Sequence, residues 1–168
     1  TDFEVIDASQ GLGRYEVVVL PGGRCLDGRS ARMLEEYLAG GGRLLVLGEG
    51  ALDREGRRFL LDVGARYVGP AEYRLDYTVA GKKLARGLVD APFLNYTAAL
   101  RAELTGAEVL AAIREPYFDR TYGRYCSHQN TPYQLQDAPH PAAWRHGRIV
   151  CLAHPLGAMY RAHGARLH

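Results

Sequence analysis

The stretch from Glu16 to Glu49 restricts the fold more than any other part of the chain. Glu16-Val17-Val18-Val19-Leu20 is a short apolar run rich in β-branched residues, closed by Pro21-Gly22-Gly23. That is the pattern of a buried parallel strand ending in a tight turn. Asp27 is placed to cap a helix in which Ala31, Leu34, Tyr37 and Leu38 recur at helical spacing. Gly40-Gly41-Gly42 stops that helix and offers a glycine for the left-handed cap position. Leu44-Leu45-Val46-Leu47 is a second apolar run, ending in Gly48-Glu49-Gly50. Two apolar strands joined by an amphipathic helix specify a right-handed βαβ unit with both sheet faces covered.

The flanking segments extend this unit. Residues 2–7 alternate polar and apolar side chains like an edge strand, and residues 9–14 form a glycine-containing loop. Phe59-Leu60-Leu61-Asp62-Val63 suits one or two helical turns, and residues 66–77 suit short strands or a hairpin. Residues 81–102 are irregular, with an extended piece at Asn95-Tyr96-Thr97. Glu108-Val109-Leu110-Ala111-Ala112-Ile113 is predicted as a strand because Gly106 precedes it and Glu115-Pro116 closes it. Residues 147–155 give another buried strand, and a helix begins near Ala158. Together these elements predict one α/β domain over residues 1–168, a flavodoxin-like three-layer sandwich with a mostly parallel sheet. A strand that starts at once after Thr1 and a helix that runs out at His168 make the chain read as a piece of a larger protein, truncated at both ends.

Composition excludes several classes. With 168 residues the chain is long enough for one real core. A formal charge of +2, without a Lys/Arg-rich run, argues against a nucleic-acid partner. No apolar stretch is long enough to span a bilayer, so no membrane partner is expected. Cys25, Cys126 and Cys151 are odd in number and widely spaced, which favours reduced thiols and a cytoplasmic setting over a disulfide framework.

Chemistry in open α/β sheets collects at the carboxyl ends of strands. Here those ends are Pro21-Gly22-Gly23, Gly48-Glu49-Gly50 and His154-Pro155. They are similar to class I glutamine amidotransferases, in which a Pro-Gly-Gly turn supplies oxyanion-hole amides, an elbow carries a nucleophilic Cys and a His-Pro segment supplies the base. Gly22, Gly23 and His154 match, whereas Glu49 stands where the elbow needs its nucleophile and Leu156 stands where an acid would orient the His. These four positions, Gly22, Gly23, Glu49 and His154, therefore look vestigial. A Cys-dependent hydrolase built on Cys25 or Cys126, with His154 or His128 as base, is the rival reading, and a small-molecule-binding flavodoxin-like module is a third. Cys126 and His128 lack a second ligand pair at zinc spacing, so no metal and no other cofactor is expected.

The run from Arg114 to Tyr133 interleaves aromatics, arginines, carboxylates and amides. Such a surface suits stacking on sugar rings, a pocket wall, or a protein interface rich in Tyr and Arg. Its candidate contact residues are Tyr117, Arg120, Tyr122, Arg124, His128 and Gln129.

Phe3-Glu4-Val5-Ile6-Asp7, residues 15–21, Gly41-Gly42-Arg43-Leu44-Leu45, Glu115-Pro116-Tyr117-Phe118, Cys126-Ser127-His128-Gln129 and Ala153-His154-Pro155 together resemble the β-galactosidase trimerisation-domain family. This is the middle domain of multidomain glycoside hydrolases, including β-galactosidases and related α-L-fucosidases. The resemblance implies a non-catalytic, amidotransferase-like domain of a homo-oligomer, partnered by a catalytic TIM barrel of the parent chain and able to line its sugar-binding cleft. It also implies that the family's domain begins one strand and helix before Thr1. The carboxylate pair of glycoside hydrolysis would then belong to the barrel.

Overall fold

The computed structural model of the chain describes residues 3–7, 10–23, 25–87 and 90–164. The expected βαβ unit is present as β1 (Val17–Leu20), α1 (Gly28–Ala39) and β2 (Arg43–Leu47). The Asp27 carboxylate accepts the Ser30 N–H at 2.8 Å and caps α1. The helix buries Ala31, Leu34 and Tyr37, and Gly41, at φ 97°, takes the left-handed position beyond its end. β1 and β2 are parallel, with Val18 beside Leu44 and Leu20 beside Val46.

After β2 the chain departs from the sandwich the sequence predicts. A single 3₁₀ turn at Gly48–Ala51 follows, then an irregular strap through residues 52–64. Phe59-Leu60-Leu61-Asp62-Val63 forms no helical turn. Leu52 and Phe59 instead pair as an isolated bridge, and Leu61 and Val63 sink into the core. A parallel neighbour needs a crossover of a dozen or more residues, usually helical, and this strap supplies none. The later strands are accordingly β3 (Ala65–Gly69), β4 (Asp76–Ala80), β5 (Phe93–Asn95), β6 (Arg101–Leu104), β7 (Glu108–Arg114), β8 (Pro141–His146) and β9 (Ile149–Leu152), before α2 (Leu156–His163).

The result is a curled seven-stranded mixed sheet ordered β1-β2-β9-β8-β7-β4-β5, with a separate antiparallel ribbon of β3 and β6. Only β1, β2 and β9 run parallel. Each remaining neighbour pair is antiparallel. The flavodoxin-like three-layer reading, with its amidotransferase-like parentage, is therefore corrected: among the described residues there are two α-helices, too few to cover both faces of such a sheet.

The covered face carries Leu44, Val46, Ile149, Cys151 and Trp144, all in one buried cluster with Ala31, Leu34 and Tyr37 of α1. The strap and ribbon close it beyond the helix. Phe59 meets Tyr67 and Trp144 edge-on, with ring centroids 6.1 and 6.2 Å apart, and the Trp144 indole N–H donates to the Val63 carbonyl at 2.9 Å. The opposite face of β1 is not covered, because Val17 and Val19 are each 49% exposed. Residues 3–7 belong to no strand of the sheet, against the edge strand the sequence predicts. Asp2 and Ser9 lie outside the described residues. The strand expected around residues 147–155 is β9, and β8, which pairs with it, carried no readable signal because it opens on Pro141 and ends on Arg145-His146.

Candidate functional site

The carboxyl ends of β1, β2 and β9 converge. A Cβ on Gly22 would sit 3.1 Å from the Leu47 carbonyl oxygen and 3.2 Å from Pro155 Cβ; one on Gly48 would sit 3.1 Å from Pro155. A Cβ on Gly50 would lie 2.8 Å from the Leu20 carbonyl oxygen. The structure thus brings Gly22, Gly48 and His154-Pro155 together, with Pro155 packed against both glycines. Glu49 points to solvent and forms no ion pair among the described residues. Gly23, at φ 85°, lies in the turn after β1.

His154 is 3% exposed and has an orienting acid after all. Asp76, at the start of β4 and also 3% exposed, holds His154 Nε2 to its Oδ1 at 2.7 Å. The same oxygen accepts from Asn95 Nδ2 at 3.0 Å, Asp76 Oδ2 accepts the Ala99 N–H at 2.8 Å, and Asn95 also donates to Thr78 Oγ1 at 2.9 Å. Sequence reasoning missed Asp76 because it lies 78 positions from its partner. The pair welds β4 to the end of β9, a structural use of an imidazole.

The thiols do not assemble a nucleophile. Cys25 is held above its ordinary range, first by burial and then by the carboxylates of Glu49, Asp53 and Glu55. That environment disfavours a thiolate, opposite to an activated cysteine. Burial pushes Cys151 up to about 12, as its place inside β9 requires. Cys126 donates to the carbonyls of His128 and Asn130 at 3.6 and 3.9 Å, not to an imidazole. No metal-binding cluster of His, Cys, Asp or Glu occurs among the described residues.

The second place is residues 116–133, which form an arm with a fastened base. The Tyr117 N–H donates to the Pro132 carbonyl at 3.1 Å and the Gln134 N–H to the Glu115 carbonyl at 2.8 Å. Tyr77 donates its hydroxyl to the Thr131 carbonyl at 2.7 Å and meets Tyr133 edge-on at 5.1 Å. Asp119 accepts the Arg74 N–H at 3.0 Å, and Arg124 lies 4.7 Å over the Phe118 ring. Arg120 Nη1 donates to the carbonyls of His128 and Gln129 at 3.1 and 2.9 Å. Of the six candidate contact residues, Arg120, His128 and Gln129 are thus engaged with one another through backbone oxygens. Tyr117 and Tyr122 stand exposed, joined by Tyr125, which the pattern alone did not single out.

Below the arm, Arg101 joins Glu72 at 2.7 Å and Glu115 at 2.6 Å. Burial opposes its charge, but the two carboxylates outweigh that and hold the guanidinium above its ordinary range. Glu72 and Glu115 are both held in ion pairs with this one guanidinium.

No protein-family model and no curated protein matches this sequence. Solved structures do. The chain superposes on an α-L-fucosidase isoenzyme 2 from Paenibacillus thiaminolyticus with a TM-score of 0.90 and 27% identity, over 98% of this chain and 25% of that one. A β-galactosidase from Rahnella sp. R3 matches at TM-score 0.57 and 16% identity, over 98% of this chain and 25% of that one. A β-galactosidase from Bacillus circulans sp. alkalophilus matches at 0.56 and 14%, over 94% and 24%. These neighbours are glycoside hydrolases, and the chain spans about a quarter of the length of each.

Proposed function

We propose that the chain is a non-catalytic accessory domain of a glycoside hydrolase of the α-L-fucosidase or β-galactosidase type, akin to the trimerisation domains of that group. The full-length superposition on a quarter of an α-L-fucosidase is the observation that carries this reading. The tight packing of Pro155 against Gly22 and Gly48 at the strand ends supports it, as does the environment of Cys25, which disfavours a thiolate. In this reading the partners are a catalytic barrel of the parent chain and further copies of the protein, in the cytoplasm. The arm is the contact element, its rigid base holding Tyr117, Tyr122 and Arg124 against the sugar cleft or a neighbouring subunit, where Tyr and Arg are the favoured anchors.

The test is hydrolysis of aryl β-galactosides and α-L-fucosides by the full-length parent and by residues 1–168 alone. Activity confined to the parent is the expected result. Turnover by residues 1–168 would overturn the accessory role, and a parent inactive on both sugars would remove the glycosidase assignment.

A further inference from the structure

Residues 118–129, the outer part of the arm, are braced from within. Thr121 and Arg124 exchange backbone hydrogen bonds of 2.9 and 3.3 Å across the Tyr122-Gly123 turn, and Arg124 covers the Phe118 ring at 4.7 Å. Arg120 Nη1 draws the far end of the loop back through the carbonyls of His128 and Gln129 at 3.1 and 2.9 Å. An open concavity of about 710 Å³ lies on this tip, and its lining, Arg120, Thr121, Tyr122 and Tyr125, belongs to the tip alone. A segment tied together in this way moves as one body, with the bending left to its root.

At that root Pro116 and Thr131 are buried, and the Tyr77 hydroxyl donates to the Thr131 carbonyl at 2.7 Å. Farther out, Asp119 ties the tip to the link between β3 and β4, its carboxylate accepting the Arg74 N–H at 3.0 Å. That contact is exposed, so water competes for both groups and it is worth no more than one net hydrogen bond. The underside of the tip carries Cys126, which is half-buried and close enough to Tyr77 to join burial in holding that phenol above its ordinary range.

A second, independent feature sits at the root. Thr131 is 1% exposed, and its Oγ1 is the one buried side-chain oxygen or nitrogen without a hydrogen-bond partner among the described residues. A hydroxyl stripped of water and left without a partner costs about as much as the Asp119 contact supplies. The closed arrangement therefore gains at Asp119 and loses at Thr131. Turning the root far enough to give Thr131 Oγ1 a partner would swing the braced tip, and Asp119 with it, off the Arg74 N–H.

We propose that residues 118–129 form a lid with two positions, latched over Tyr77 by the Asp119 carboxylate and driven toward release by the unpartnered Thr131 hydroxyl at its root. The lid stands independently of the accessory-domain reading above.

The experiment is iodoacetamide alkylation of the full-length parent, with Cys126 and Cys25 followed separately by peptide mass spectrometry. When the lid opens and closes faster than alkylation, the rate at Cys126 tracks the open population. Asp119→Ala should raise that rate about three- to tenfold, the range of one net hydrogen bond. Asp119→Asn keeps an acceptor oxygen and should restore most of the wild-type rate, whereas a purely electrostatic effect on the thiol would persist in it. Thr131→Val removes the stranded hydroxyl at nearly constant shape and should slow Cys126 by a similar factor. Cys25, on the body of the domain, should react at one rate in all four proteins. An unchanged Cys126 rate in Asp119→Ala overturns the latch, as does failure of Asp119→Asn to restore it. A rate that does not fall in Thr131→Val overturns the drive from the root. If Cys25 accelerates together with Cys126, the tip has no motion of its own and the lid is overturned.

Discussion

Asp76 serves three partners from inside the protein, the His154 ring, the Asn95 amide and the Ala99 N–H, and Asn95 in turn donates to Thr78. Truncating it would leave the His154 imidazole and the Ala99 N–H buried without acceptors and cost the Asn95 amide one of its two. Asp76→Ala should therefore cost about 2–5 kcal/mol, from about 1–3 kcal/mol for each stranded donor, read as a shift in urea midpoint at constant slope. A loss under about 1 kcal/mol would mean that water replaces the carboxylate. Cys151 gives a prediction in pH. Its thiol is pushed from an ordinary 9.0 up to about 12 in the folded chain. Between those values the unfolded chain holds fewer protons than the folded one, so stability falls as pH rises, by about 1.4 kcal/mol per unit. Below that window both states are protonated and the thiol adds no pH dependence. The stability difference between wild type and Cys151→Ala, followed from pH 8 to 11, should shrink with that slope; a flat difference would place the thiol in contact with solvent.

Among elements, the three converging strand ends make a steric demand on backbone atoms. Gly50→Ala drives a Cβ to 2.8 Å from the Leu20 carbonyl oxygen and 3.0 Å from that of Pro21, both backbone atoms that cannot rotate away. About 1–3 kcal/mol of destabilisation should follow, whereas Gly123→Ala on the arm meets nothing within 4 Å and should be near neutral by the same melting experiment. Equal effects would show that the strand ends relax freely. This contrast also explains what the sequence made legible. The βαβ unit could be read because its determinants are local, with Asp27, the helical stripe and Gly41 within one continuous stretch. The mixed sheet could not, because its direction is decided by the failure of residues 52–64 to form a crossover helix. Phe59-Leu60-Leu61-Asp62-Val63 has helical composition, yet Leu61 and Val63 are drawn into the core as an extended strap. At the arm, residue types pointed to the right stretch but not to its division of labour. Arg120, an obvious ligand donor in sequence, spends donors on His128 and Gln129 carbonyls, and only the fold reveals that Tyr125 shares its concavity.

For the whole molecule, the question is whether the parallel and antiparallel parts of the sheet stand or fall together. One buried cluster runs from Leu34 and Tyr37 on α1, through Leu44 and Cys151, to Trp144 on β8 and Ile113 on β7. The Asp76–His154 contact crosses the same boundary at the strand ends. Neither part can expose its inner face without stripping the other, which is the condition for all-or-none unfolding. Trp144 is the only tryptophan of the chain, 1% exposed and bonded to the Val63 carbonyl, so its emission reports this shared core directly. Its urea transition should coincide with that of far-ultraviolet ellipticity, with one midpoint and one slope. Were the emission to change first, β8 and its strap would be a separate, weaker unit. Val19→Lys supplies the control, since Val19 lies on the uncovered face of β1 and is half exposed. It should move both transitions together and by well under 1 kcal/mol, while lowering any tendency of the β1 edge to pair between molecules.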